Sequence, residues 1–278
     1  MKTIALLPII TYPEPNPEGV VPRAVAMAAA LGAQLHAMAI NVEIRSISNA
    51  LSRKMVDVPK MTQEAEALCR ERGEAFLAKV LEEAKRAGVD TTTGAVASNA
   101  PLLNETAALQ ARYHDFVLWA WEANNSTNRK AAQAIVFGSG RPTILLPEAE
   151  PARNLDKVAI AWDGSRVAAR AVADAHHVLR RASKITVLTV TGEKSLQETD
   201  AARRLAQGLC ERGLSAEAMA FGTEDCPVEI SLQKRALEIG ADLMIMGAFG
   251  HSRLRDFALG GATKGILTDV RLPILLSH

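Results

Sequence analysis

The chain has 278 residues, 48% of them apolar, and its 32 basic residues nearly balance its 31 acidic ones. This length favours two domains of ordinary size. No apolar run approaches the roughly 20 residues of a membrane span, which argues against a membrane protein. The sequence also has no long basic tract, which argues against a nucleic-acid-binding protein. The three cysteines are widely spaced without a CxxC pair, which indicates neither a disulfide framework nor a thiolate zinc site.

The first half alternates apolar runs typical of buried strands with alanine-rich or charged amphipathic stretches typical of helices. In chain order its predicted elements are strand 4–10, helix 22–31, strand 35–42, helix 64–87, helix 102–113, strand 115–119 and strand 141–146. The opening residues 1–8 are short and soon followed by prolines, so we expect a first strand in a cytoplasmic protein and not a signal peptide. The segment 43–60 has no counterpart in the second half, and it is long enough to cap a pocket or bind a partner.

The second half repeats the first. Its predicted elements are strand 158–164, helix 165–181, strand 185–190, helix 195–212, helix 228–239, strand 242–246 and strand 271–276. An aspartate, Asp115 or Asp242, stands at the start of the fourth strand of each half. The polar, proline-bearing segment 147–151 is typical of a linker, so we expect domains over 1–148 and 153–278.

Strands that alternate with helices predict an α/β fold, in which each domain is a doubly wound, five-stranded, mainly parallel sheet flanked by helices. Ligands of such sheets lie beyond the carboxyl ends of the strands, where the winding direction reverses. In the second half this rule places Asp163, after the first strand, beside Gly247, after the fourth.

A spaced set of glycines follows that fourth strand. Gly247 and Gly250 come after the apolar residues 243–246, and Gly260 and Gly261 follow after nine further residues. Glycines let backbone amides approach a ligand closely, and clustered amides or a helix N-terminus bind phosphate without a dedicated cationic side chain. The pattern therefore predicts a nucleotide site.

Asp163 together with Gly-x2-Gly-x9-Gly resembles the universal stress protein family, and the internal repeat resembles its tandem, two-domain members. The resemblance covers nearly the whole chain, but only the second half carries the glycine motif, so the first half looks like a degenerate domain. The resemblance implies an adenine-nucleotide α-hydrolase-like sheet with the strand order 3-2-1-4-5. It also implies a stress-response and regulatory role with ATP as ligand, with ADP, AMP and the presence of Mg²⁺ left open.

By this resemblance the nucleotide site draws on the ends of the first, second and fourth strands and on the loop that follows. Its residues are Ala161, Trp162, Asp163, Val190, Met246, Gly247, Gly250, His251, Gly260, Gly261, Ala262 and Thr263. Asp163 would face the ribose and adenine, Val190 the adenine edge, and residues 260–263 the phosphates. The family usually has Ser or Thr where this chain has Gly261, so we expect weaker phosphate binding because a hydroxyl donor is lost. Trp162 either stacks on the base or fills its place.

The first half lacks these features. Ala120 and Ala123 stand where the second half has its first two motif glycines, and Ile9 is expected at the place of the aspartate. We therefore predict that this half is a structural partner without a nucleotide. Trp119 and Trp121, on either side of Ala120, either plug the vestigial cleft or line a pocket for an apolar ligand.

Three functions are compatible with the sequence. The favoured one is a regulatory protein whose second domain binds an adenine nucleotide, and the first alternative is a scaffold or apolar-ligand-binding interaction protein of the same fold. An enzyme is the third, but the sequence contains no P-loop, positioned base or clear metal-ligand set, so at most slow ATP hydrolysis is expected.

Association is expected through the last strand of each half. In dimers of the family that the chain resembles, final strands pair with each other, and here residues 143–146 and 274–277 are expected to pair antiparallel within one chain. Such pairing would cover two sheet edges that otherwise invite aggregation. A pseudo-dimer results, while a further homodimer and an unidentified protein partner stay open.

Overall fold

A computed structural model of the chain describes residues 2–13, 16–17, 19–44, 58–123, 125–148, 154–191, 200–223, 226–248 and 265–278. Within these ranges the first half forms β1 (Ile4–Ile10), α1 (Val20–Leu31), β2 (Gln34–Glu43), α2 (Val58–Ala87), β3 (Thr91–Asn99), α3 (Leu103–Ala111), β4 (Phe116–Ala120), α4 (Ser126–Gly138) and β5 (Thr143–Leu146). The second half forms β6 (Lys157–Ala161), α5 (Arg166–Asp174), α6 (His176–Leu179), β7 (Lys184–Val190), α7 (Ala201–Glu211), β8 (Ala216–Phe221), α8 (Val228–Glu238), β9 (Leu243–Gly247) and β10 (Ile274–Ser277).

The ten described strands form one continuous sheet in the order β3-β2-β1-β4-β5-β10-β9-β6-β7-β8. Within each half the strands lie in the order 3-2-1-4-5 and run parallel to one another. The predicted α/β class is therefore confirmed, and its parallel sheet follows from the helical crossovers between successive strands.

The two halves meet at the centre of this sheet. β10 pairs antiparallel with β5, with Ile274 opposite Leu145, Leu275 opposite Ile144, and Leu276 opposite Thr143. These residues are fully buried. Because this pairing is antiparallel, the strands of the first half run in the opposite direction to those of the second.

Helices cover both faces of the sheet in two layers. We call α1, α2, α5, α6 and α7 layer one, and α3, α4 and α8 layer two, since the buried side chains of each set belong mainly to one apolar cluster. Side chains alternate between the two along a strand: Ala5, Leu7 and Ile9 of β1 pack with layer one, and Leu6 and Ile10 with layer two. A parallel sheet buried on both faces needs such continuous apolar strands.

The aspartate before the fourth strand fixes the start of the first strand in each half. Asp115 accepts a hydrogen bond from the backbone N–H of Ile4 at 2.8 Å, and Asp242 accepts one from that of Lys157 at 2.8 Å. The two halves are thus tied at equivalent points, which allows their registers to be compared residue by residue.

Two of the predicted helices differ from those observed. The helix predicted over 165–181 is divided into α5 and α6, because Ala175 between them has a ψ angle of 4° that departs from helical geometry. Helix α2 begins at Val58, inside the segment 43–60. Residues 45–57 of that segment, and residues 195–199 of the helix predicted over 195–212, lie outside the described residues.

His36 of β2 and His114 after α3 form a neutral pair. His114 Nδ1 lies 2.9 Å from the carbonyl oxygen of Gln110 and therefore donates to it, so its Nε2 accepts from His36 Nδ1 at 2.8 Å. Burial lowers the pKa of both imidazoles, and for His114 this effect outweighs the Gln110 carbonyl and Asp115, which raise it.

This pair predicts acid sensitivity of the fold. The free energy of unfolding should fall as the pH drops below about 6.5, because the unfolded chain takes up protons that the folded pair resists. The loss should continue until the pH passes the lowered pKa values of the folded protein. Urea unfolding across this range measures the slope, which the double variant His36→Gln, His114→Gln should flatten, whereas His176→Gln, at an exposed histidine, should not. An unchanged slope in the double variant would contradict this prediction.

Candidate functional site

The strand registers show which residues of the two halves are equivalent. Val158 and Ala5 take the same place, because they pair with the first residues of β9 and β4, Leu243 and Phe116. Counting along the strands from these pairs, Ile10 stands where the second half has its aspartate.

The expectation that Ile9 replaces Asp163 is therefore wrong by one residue. Ile9 is equivalent to Trp162, and both pack with layer one, whereas Ile10 packs with layer two. A one-residue shift moves a side chain to the opposite face of a sheet. The missing carboxylate of the first half is thus replaced by Ile10, on the same face as the second-half cleft.

Three of the predicted site residues come together on the layer-two face at the carboxyl ends of their strands. Ala161 ends β6 and lies opposite both Met246 of β9 and Leu188 of β7, while Val190 ends β7. Their exposed fractions are 7% for Ala161 and 8% for Val190 and Met246. These side chains therefore form an apolar surface at the carboxyl ends of the strands, at the place where the sequence predicts the cleft of the second half.

Asp163 lies at the rim of this cleft, two residues beyond β6. Its Oδ1 accepts a hydrogen bond from the backbone N–H of Ser165 at 2.9 Å, across Gly164, whose φ is +74°. Ser165 in turn caps α5, because its Oγ accepts from the N–H of Ala168 at 3.2 Å. Among the described residues no group donates to Asp163 Oδ2, so the turn orients an exposed carboxylate with one oxygen free.

Trp162 is separated from the cleft by the sheet. Its side chain packs with layer one, and its backbone is held by a 2.8 Å hydrogen bond from its N–H to Leu188 and another from Thr189 Oγ1 to its carbonyl. Its indole Nε1 is buried and has no hydrogen-bond partner among the described residues. Trp162 therefore does not line the same surface as Ala161 and Met246.

Gly247 has a structural role that the sequence did not reveal. A Cβ at this position would lie 2.5 Å from the carbonyl carbon of Val167 and 2.5 Å from the backbone nitrogen of Ala168. The first turn of α5 thus packs directly on the end of β9, and its backbone cannot move aside as a flexible side chain would. The first motif glycine is required by helix packing, whatever the site binds.

Gly247→Ala should therefore destabilise the protein by about 1–3 kcal/mol, the usual cost of overpacking. Gly208→Ala is the matched control, because a Cβ at Gly208 in α7 meets nothing within 4 Å. That control should stabilise by up to about 1 kcal/mol, since alanine favours a helix over glycine. Chemical denaturation measures the change in the free energy of unfolding of each variant. Equal stabilities of the two variants would contradict the packing role of Gly247.

The remaining predicted site residues follow β9 in the sequence. Gly250, His251, Gly260, Gly261, Ala262 and Thr263 lie outside the described residues. Within the described part of the chain, no group of three or more His, Cys, Asp or Glu side chains is arranged to hold a metal ion.

The equivalent cleft of the first half is filled by Trp119. This residue takes the place of Met246 and is 1% exposed, and its Nε1 donates to Asn128 Oδ1 at 3.2 Å. Asn128 Nδ2 donates to the carbonyl of Ala120 at 2.8 Å, and its own N–H is capped by Asn125 at 2.9 Å. A cavity of only about 110 Å³ remains beside them. Trp119 is thus buried and also lines this cavity, so the two alternatives for Trp119 and Trp121 stay predictions.

The two asparagines were not singled out in the sequence. Asn125 and Asn128 stand three residues apart at the start of α4, the spacing of an N-cap and the amide it caps. That spacing was a usable signal for a helix start, but it does not reveal that Asn128 also holds a tryptophan.

Comparisons with known proteins identify the fold. No protein-family profile and no curated protein sequence matches the chain. A universal stress protein from Archaeoglobus fulgidus DSM 4304 has a similar structure, with a TM-score of 0.70, 14% identity, and coverage of 99% of this chain and 95% of the other. A putative universal stress protein from Pseudomonas aeruginosa UCBPP-PA14 has a TM-score of 0.59 at 14% identity, with coverage of 99% of this chain and 93% of the other. A functionally unknown protein from Pseudomonas aeruginosa PAO1 has a TM-score of 0.58 at 14% identity, with coverage of 98% of this chain and 92% of the other.

At this identity the likeness shows the fold, and the chain has the fold of universal stress proteins along nearly its whole length. The resemblance predicted from Asp163 and the glycine motif is confirmed at that level. No helix in the described ranges is long and apolar enough to cross a membrane.

Proposed function

We propose that the second half binds an adenine nucleotide at the carboxyl ends of β6, β7 and β9, and that the protein acts in the cytoplasm as a stress-response regulator. In this proposal the first half is a structural partner that completes a pseudo-dimer. ATP is the favoured ligand, and ADP, AMP and the participation of Mg²⁺ stay open.

The observation that carries the proposal is the free carboxylate oxygen of Asp163 beside an apolar floor. A ribose presents two neighbouring hydroxyl donors, and a carboxylate with an unused oxygen accepts them. The adenine ring can then pack on Val190 and Met246. β6 and β9 are neighbours although α5, α6 and β7 follow β6 in the chain, so this cleft lies at the reversal point where doubly wound sheets bind ligands.

The phosphates would extend towards the loop that follows β9. Its glycines supply amides, and a helix N-terminus there would add a partial positive charge. The described residues contain no base positioned beside Asp163, so we propose binding with at most slow hydrolysis, because efficient phosphoryl transfer needs a positioned nucleophile and bound metal.

The regulatory role rests on the likeness to universal stress proteins. A fold by itself hosts many functions, so the physiological signal and the protein partner are part of the proposal. A homodimer in addition to the internal pairing of β5 and β10 is also left open.

Asp163→Asn tests the ribose contact. Asparagine keeps an oxygen that can accept from the Ser165 N–H, so the turn and the stability of the apoprotein should be retained. The charge is lost, and since a hydrogen bond to a charged group contributes about 1.5–3 kcal/mol, ATP affinity measured by titration calorimetry should fall about tenfold or more. Asp200→Asn, at an exposed carboxylate of the second half, is the control and should bind as wild type. Equal affinity of the Asp163 variant and wild type would refute the proposed site.

Gly260→Val tests the phosphate loop separately. A branched side chain in place of this glycine blocks close approach of backbone amides to a phosphate, so the thermal shift produced by ATP should disappear while the apoprotein melts near the wild-type temperature. Adenosine, which lacks phosphates, should bind this variant and wild type alike. A preserved ATP shift would show that the loop does not hold the phosphates.

A scaffold without nucleotide is the second candidate, and the packing of Gly247 favours it. Because helix packing alone explains this glycine, its presence does not require a nucleotide. Native mass spectrometry of freshly purified protein separates the candidates: an added mass equal to one adenine nucleotide supports binding, and no adduct with no response to ATP supports the scaffold.

A further inference from the structure

A long groove lies in layer one of the second half, between α7 and the helical run α5–α6. It encloses about 840 Å³, within the range of about 300–1,000 Å³ typical of small-molecule sites. Its apolar lining includes Trp162, Val172, Leu179, Leu205, Leu209 and Leu214. The sheet separates this groove from the cleft of Ala161 and Met246, because Trp162 faces layer one and those two residues face layer two.

The equivalent helices of the first half, α1 and α2, pack directly against each other, and large buried side chains of both, including Met27 and Phe76, belong to one cluster. In the second half α5 presents the small side chains of Ala169 and Ala173 to the groove. The packing of these helices therefore differs between the two halves.

The groove has a cationic end. Arg180 follows α6 and Arg212 follows α7, and the strands after these helices, β7 and β8, are parallel neighbours with Ile185 opposite Ala216. The two arginines are consequently at the same end of the groove. Neither forms an ion pair with a described residue, and the lining includes His176 but no acidic side chain.

The apolar end of the groove lies at the opposite ends of the strands. Trp162 follows the carboxyl end of β6, whereas the arginines lie near the starting ends of β7 and β8. Between Ala169 and Arg180 the helical run extends about 16 Å at 1.5 Å per residue. The groove is thus an elongated apolar channel with paired guanidinium groups at one end.

We propose that this groove binds an alkyl carboxylate of medium chain length, with its hydrocarbon tail along Leu205 and Leu209 and its head group at Arg180 and Arg212. Burial of a methylene chain supplies most of the affinity, at about 0.8 kcal/mol per CH₂, and the guanidinium forks match a carboxylate in geometry and charge. This site is independent of the nucleotide cleft, and the proposal stands whether or not ATP binds.

Titration calorimetry on delipidated full-length protein tests the head-group preference. Decanoate should bind, decanol should bind about tenfold more weakly, and decyltrimethylammonium should bind more weakly than decanol because the arginines repel its charge. ATP should not displace decanoate. Equal affinity for the acid and the alcohol, or no binding of decanoate, would overturn the proposal.

Variants test the position of the site. Arg180→Gln with Arg212→Gln should weaken decanoate binding about tenfold while leaving decanol binding unchanged. Ala173→Phe, which fills the groove from an exposed position, should abolish binding of both. Arg72→Gln, at an exposed arginine on α2 of the first half, is the matched control and should bind decanoate as wild type.

Fluorescence gives a readout that unfolding cannot mimic. Decanoate should change the emission of Trp162, and this change should vanish in Trp162→Phe. If Trp162→Phe keeps the full change, or if Ala173→Phe is folded and binds decanoate as wild type, the ligand does not occupy this groove and the proposal is wrong.

Discussion

The antiparallel pairing of β5 with β10 is the interaction on which the rest of the molecule depends. Each of these strands has only four residues, yet both are buried and sit in the middle of a ten-stranded sheet. Without their pairing, each half would expose the edge of an apolar strand. The pairing also brings the helices of the two halves into contact. His177 Nε2 lies 2.9 Å from the carbonyl oxygen of Leu31, and the ring centroids of Phe137 and His278 lie 5.1 Å apart. Both apolar clusters contain residues of both halves.

Within this shared frame the two halves have diverged on both faces of the sheet. On the layer-two face, Trp119 of the first half takes the place that Met246 has in the second. On the layer-one face, α1 and α2 of the first half pack directly against each other, and the second half has a groove. Both proposed sites therefore lie in the second half.

The sequence predicted the architecture well because its signals are local and repeated. Apolar runs and the aspartates Asp115 and Asp242 recur in the same order, and the structure shows the resulting sheet. The exact register was harder to predict, because Ile9 and Ile10 are both apolar and nothing in the sequence tells which one faces the cleft. Sequence also does not distinguish a glycine required for ligand approach from one required for helix approach, as at Gly247. The groove depends on the distance between α5 and α7, which only the packed structure reveals.

The opposed strand directions at the central pairing also determine which sites of the two halves lie on the same side of the molecule. The carboxyl ends of the first half lie along one edge of the sheet, and those of the second half along the other. Asp163 thus lies at the edge formed by the carboxyl ends of the second half. Arg180 and Arg212 lie at the other edge, together with Trp119 of the first half. A partner that docks on the first edge would contact the proposed nucleotide site and the Trp162 end of the groove, whereas a partner on the other edge would contact Arg180 and Arg212.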